Sequence, residues 1–213
     1  MKHNKLLDRK GNLRVPFYHG TSSLFIDSIW DAGLGGRNPV KVNRWAECFG
    51  DLFKLADQKF SDQSRWQEGR VKLLPIVEQG LSRDNLRFNF SHGETYISPS
   101  SVMARQYAFP AGCEILDYIK GLSLHLHNEG HTADVHRIVP MDLQQTLIKT
   151  YRPVLVRISG LRFRDIDTEN GDDKWTVLDR YEEFLRTREG EMDMTSWKLT
   201  TSIPHSQLEI SHL

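Results

Sequence analysis

The sequence predicts an α+β fold, because amphipathic helical patterns dominate its first half and β-branched, apolar runs mark its two ends. Its 213 residues suffice for one substantial core, so a single domain over residues 1–213 is expected, with a helical insertion at about 40–70. Val15 to Tyr18 reads as a short strand ending on His19-Gly20-Thr21. Ser22 or Ser23 then suits the N-cap of a helix whose apolar residues Phe25, Ile26, Ile29 and Trp30 recur at helical spacing, with Gly33 as its stop. Trp45, Cys48, Phe49, Leu52, Phe53, Ala56 and Phe60 form one continuous apolar face of a second helix. Residues 61–93 mix charged and apolar groups around Pro75 and Gly80, which reads as a strand or two with irregular connections.

A short strand runs through Tyr96 and Ile97, and Ser98-Pro99 suits an N-cap with proline at the first helical position. The helix that follows carries Val102, Ala104 and Tyr107 and ends at Pro110. Residues 114–126 form another apolar helix before a histidine-rich loop at 125–136. "RPVLVRISGLRF" reads as a buried strand, "GDDKWTVLDRYEEFLRTREG" as a charged helix closed by Gly190, and the C-terminal stretch as strand with a turn at Pro204.

Composition narrows the function. Twenty-eight basic and 28 acidic residues balance, which argues against binding to nucleic acid or an anionic membrane through overall charge. Cys48 and Cys113 show neither disulfide-framework nor zinc spacing, as suits a reducing compartment. The basic start lacks an apolar h-region and no stretch approaches 18 apolar residues, so a soluble cytoplasmic protein is expected, with no membrane partner.

Histidine and glycine at a strand end place an imidazole beside backbone that a flat polar ligand can approach closely. Tyr96 and Tyr107, eleven residues apart across a helix start, add two rings able to sandwich a third, most strongly a cationic one. In order along the chain, "YHGT…I…GL" (18–34), "GETYISPSSVMARQYA" (93–108) and the valine-rich strand at 153–159 resemble the ADP-ribosyltransferase superfamily. The resemblance is to its His-Tyr-Glu branch, which includes diphtheria toxin and the poly(ADP-ribose) polymerases, and residues 40–90 lie outside it.

The resemblance implies a split β-sheet core flanked by helices, with an NAD cleft. It implies that His19 bonds the nicotinamide-side ribose, that Gly20 offers its backbone to the carboxamide with Thr21 beside it, and that Tyr96 and Tyr107 stack on the ring. Ala104 departs from the polymerase pattern, in which serine often helps hold the carboxamide. Cleavage of the ribose–nicotinamide bond leaves an oxocarbenium-like sugar, which a carboxylate on the ribose 2′-hydroxyl stabilises. Counting back from Ile203, the residues where the family has its glutamate are Ser196 and Trp197, and neither is acidic. Asp193 and Glu191 are the nearest carboxylates and become the catalytic candidates; Glu182 and Glu183 lie in a helical pattern that favours solvation.

The expected activity is therefore transfer of one ADP-ribose from NAD to a protein, RNA or DNA acceptor, without a metal. Small stand-alone enzymes of this kind are often toxins or conflict-system effectors, so an antitoxin or chaperone partner is in keeping. Two alternatives stand beside it: an RNA 2′-phosphotransferase-like enzyme, and a non-catalytic NAD-binding module that lost its acid. His125, His127, His131 and His136 offer imidazoles without a cysteine and are read as a surface loop. Arg152, Arg157, Arg162 and Arg164 can track phosphates or form a solvated strand edge.

Overall fold

A computed structural model describes residues 4–81, 94–109, 113–187 and 196–213. In chain order the elements are β1 (Phe17–Ser22), α1 (Ile26–Ala32), α2 (Pro39–Val42), α3 (Trp45–Phe60), α4 (Ser64–Leu81), β2 (Tyr96–Ile97), α5 (Ser101–Ala108) and α6 (Glu114–Asn128). Then come α7 (Thr132–Ile138), α8 (Met141–Ile148), β3 (Pro153–Ile158), β4 (Ile166–Thr168), α9 (Lys174–Thr187), β5 (Trp197–Leu199) and β6 (Leu208–His212). Helices and two small antiparallel sheets make this an α+β architecture. The chain divides into two compact units, one of Met1–Asn38, Glu94–Gly112 and Arg152–Leu213, the other of Pro39–Gly93 and Cys113–Tyr151.

The first unit holds both sheets, ordered β1-β3-β6 and β2-β5-β4. Strand periodicity turns Phe17 of β1 and Val154, Val156 and Ile158 of β3 into one core, which Ile97 and Trp197 of the second sheet and Val177, Leu178 and Tyr181 of α9 complete. Trp197 is its aromatic centre, edge-on to Phe17 at 6.2 Å and to Phe163 at 6.1 Å. β1 runs further than its composition announces: His19, Gly20 and Thr21 lie inside the strand, not past its end, because the register with β3 continues through Ser22↔Pro153. A 3-10 turn at Ser23–Phe25 separates β1 from α1, and no serine side chain caps either; Ser23 Oγ instead accepts the Arg152 N–H at 3.0 Å. Gly33 ends α1 at φ 77°, its N–H returning to the Ile29 carbonyl.

The second unit is helical. Every apolar residue of the α3 pattern is buried, and Phe49 stacks on Tyr118 of α6 at 5.4 Å. Residues 64–81 form α4, not strands: Trp66 packs its ring against Phe53 and Phe60, and Asp57 of α3 binds both Trp66 Nε1 (3.0 Å) and Arg70 Nε (2.8 Å). The segment is rich in Arg, Lys, Glu, Gln and Leu, good helix formers that carry Pro75 within the helix. The expected histidine-rich loop is also helical, with His125 and His127 on α6 and His136 on α7, because Val135, Val139 and Leu143 supply buried anchors. His125 packs on Phe60 at 4.7 Å, and among the described residues no group of three or more His, Cys, Asp or Glu converges as metal ligands would. Burial pushes the Cys48 and Cys113 thiols up to about 11 and about 12. Among the described residues no helix is long and apolar enough to cross a membrane.

Candidate functional site

The two sequence blocks meet where β1 faces β2. Tyr18 and Ser98 exchange both backbone hydrogen bonds, at 2.7 and 2.8 Å. Continuing that antiparallel register would set Phe17 against Pro99 and Gly20 against Tyr96, yet the pairing stops after one bridge. On one side the next hydrogen-bonded pair would be Pro16 with Ser100, and Pro16 has no N–H to give while the Ser100 N–H bonds the Ser98 hydroxyl. On the other, the carbonyl of Tyr96 accepts a hydrogen bond from the His19 ring at 2.7 Å. The sheet opens at that point.

Gly20 sits on the opened edge. Because Tyr18 turns its N–H and C=O toward Ser98, strand alternation turns those of Gly20 the same way, away from β3. The missing Cβ also has a packing role. A methyl group there would lie 1.7 Å from the Ala104 carbonyl oxygen and 2.9 Å from the Ala108 nitrogen, so Gly20 exists to let α5 lie directly on β1. Ser100, not Ser98, caps α5, its hydroxyl accepting the Met103 N–H at 3.3 Å. Ala104 and Ala108 are buried on the strand side, while Tyr107, three residues after Ala104, stands on the flank of that face, 52% exposed.

Burial holds the His19 imidazole below its ordinary pKa, against the opposing effect of its bond to Tyr96, so the ring is neutral at pH 7. A neutral ring facing a carbonyl must carry its proton on Nδ1. Nε2 is then left as an acceptor for a hydroxyl. Thr21 is buried, 2% exposed, opposite Val154, and supports the strand.

Tyr96, Lys198 and Asp167 are register partners across β2, β5 and β4, so they share the face opposite Ile97, Trp197 and Thr168. The Tyr96 hydroxyl donates to Glu94 at 3.1 Å, and Glu94 faces the Lys198 ammonium at 3.6 Å. Beyond β4 the Glu169 N–H bonds the Ser196 carbonyl at 3.0 Å. Burial raises the Glu169 pKa, a hydrogen bond with the Ser196 side chain lowers it, nearby Glu94 raises it and Lys198 lowers it. Composition and periodicity missed Glu94, Glu169 and Lys198. The signal was available in part, since Glu94 lies two residues before Tyr96 and thus on its face.

No protein-family model, curated protein or solved structure matches the chain.

The remaining candidates are dispersed. Asp193 and Glu191 lie outside the described residues. Glu182 and Glu183 lie on α9, as the helical pattern foretold; Glu182 accepts the Lys5 N–H at 3.0 Å, and Glu183 pairs with Arg186. Of the four arginines only Arg157 lies within β3, held by Glu209 at 2.9 Å, while Arg162, held by Asp165 at 2.7 Å, and Arg164 belong to the 3-10 turn after it, so the four do not form one strand-edge row. Trp197 is a core residue, and β5 itself therefore offers no carboxylate at the position where the sequence resemblance puts one.

Proposed function

We propose that this chain is a mono-ADP-ribosyltransferase that binds NAD at the opened edge of β1 and transfers ADP-ribose to a macromolecular acceptor. The observation that carries the reading is the 2.7 Å bond from His19 to the Tyr96 carbonyl, beside backbone groups of Gly20 that face the same opening. A nicotinamide carboxamide is one donor and one acceptor on a flat group, and the Gly20 N–H and C=O form the complementary pair. His19 Nε2 accepts from a ribose hydroxyl, which fixes the sugar relative to the ring. Tyr96, with Tyr107 from α5, supplies aromatic surface for the pyridinium; stacking is strongest while the ring is cationic and weakens once it departs neutral.

The developing oxocarbenium charge calls for a carboxylate. Asp193 and Glu191 fill that role by chain position, and Glu169 does so by its place against Ser196. Charge reversal or neutralisation of the true group should lower turnover by a hundredfold or more while leaving NAD bound.

The test is incubation with NAD labelled in its adenylate, scoring release of nicotinamide and label incorporated into protein, RNA or DNA of a cell lysate. The reading expects both signals, lost in His19→Ala and in one of Glu169→Gln, Asp193→Asn or Glu191→Gln. Neither signal from the folded wild-type chain would refute transfer. The absence of a carboxylate at Ser196 and Trp197 favours one other reading, an NAD-binding module without turnover. Calorimetric binding of NAD with no nicotinamide release would select it.

A further inference from the structure

A cavity in the sheet-bearing unit lies apart from the Gly20 edge. It measures about 470 Å³ and is lined by Lys10, Asn12, Arg162, Phe163, Arg164 and Trp175, among others. Phe163 meets Trp197 on the core side of the β2-β5-β4 sheet, whereas Tyr96 and Lys198 project from the opposite face. The cavity is therefore distinct from the NAD reading and independent of it.

Two chemistries converge here. Trp175 packs edge-on against Phe163 at 4.6 Å, which fixes the indole, yet it stays 44% exposed. A fixed, exposed indole is a platform for another flat ring. Around it stand three cations from two segments: Lys10 from the N-terminal turn, and Arg162 and Arg164 from the 3-10 turn that carries Phe163. Asp165 engages Arg162 through Nε at 2.7 Å and approaches Arg164 Nε only to 3.8 Å, so the terminal nitrogens of each guanidinium are the groups a phosphate would use. Lys174 is otherwise occupied, over the Phe163 ring and bonded to the Ile166 carbonyl at 3.2 Å. The neighbouring carboxylates are committed: Asp8 to Asn12 and to the Lys10 N–H, Asp165 to Arg162, and Asp173 to Thr176 and the Trp175 N–H. The lining itself carries Lys10, Arg162 and Arg164 and no carboxylate, although the chain as a whole is neutral.

We infer that this cavity binds single-stranded nucleic acid, seating one base on Trp175 with the flanking phosphates on Arg162, Arg164 and Lys10. Three cations in one cavity with a single aromatic platform suit a ligand that carries a phosphate on each side of its base. A phosphotyrosine side chain would bring a single phosphate.

The experiment is fluorescence anisotropy of the full chain with a labelled ten-nucleotide RNA and its DNA equivalent, without NAD, over a series of salt concentrations. Competitors are AMP and a phosphotyrosine peptide. Binding should weaken with salt, Trp175→Ala should weaken it about tenfold or more, and Arg164→Ala should reduce the salt slope by ~0.7. Arg157→Ala, on the other sheet and paired with Glu209, should leave binding unchanged. Circular dichroism establishes folding, and Trp175→Phe, which keeps a ring in the core contact, should recover part of the affinity. No oligonucleotide binding, binding indifferent to Trp175→Ala and Arg164→Ala, AMP binding without oligonucleotide binding, or a phosphotyrosine peptide that binds more tightly would each overturn the inference.

Discussion

Gly20→Ala tests the contact that builds the candidate site, and its effect can be worked from the coordinates. The new methyl carbon would stand 1.7 Å from the Ala104 carbonyl oxygen, about half the separation of an ordinary contact, with the Ala108 nitrogen at 2.9 Å. Both obstacles are helix backbone, which cannot rotate away as a side chain can, so α5 must lift off β1. Overpacking of this kind costs about 3 kcal/mol, the upper part of the range for an added methylene. For a chain of this length that is about 6–12 °C in melting temperature. Gly69→Ala is the control: it lies in α4, a methyl group there meets nothing within 4 Å, and helix propensity favours alanine by up to ~1 kcal/mol. The assay is thermal and urea unfolding of both variants beside the wild type. A Gly20→Ala protein as stable as wild type, or shifted in the same direction as Gly69→Ala, would refute the close approach of α5 to β1.

Two further outcomes follow from half-buried polar groups. His19 has a lowered pKa in the folded chain, so the unfolded chain takes up the proton first; its contribution to stability is complete above about pH 6.5 and declines below it, by at most ~1.4 kcal/mol per pH unit. Urea titrations between pH 7.5 and 5.5 should show the wild type losing stability relative to His19→Asn, and parallel curves would contradict the neutral imidazole. Asp57→Ala leaves the Trp66 N–H and the Arg70 guanidinium without their shared acceptor. It should destabilise the helical unit by ~1–3 kcal/mol, with a shift in tryptophan emission, and an unchanged urea midpoint would show that solvent replaces the carboxylate.

How much the sequence disclosed depended on how local each determinant was. The face of α3 from Trp45 to Phe60 and the Gly33 stop follow from spacing within one element, and both were legible. The length of β1 was not, because His19 to Ser22 become strand only through pairing with β3, more than a hundred residues away. The helix over Ser64–Leu81 was hidden for a similar reason: its anchor is the Trp66–Asp57 contact, and Pro75 obscured the period. At the candidate site, His19 and Tyr96 were singled out before they were seen in contact, whereas the use of Gly20 as a seat for α5 needed three dimensions. Glu169 escaped notice because it reaches Ser196 across strands and not along them.

The central claim is that the opened edge of β1 reads a carboxamide. Isothermal titration of NAD against its analogue bearing nicotinic acid in place of nicotinamide tests it most directly, since the two differ only where Gly20 would read them. The carbonyl of Gly20 needs the amide N–H and meets a carboxylate with repulsion, so NAD should bind at least about tenfold more tightly than the acid analogue. Equal affinity for both, or no heat with either, would contradict it.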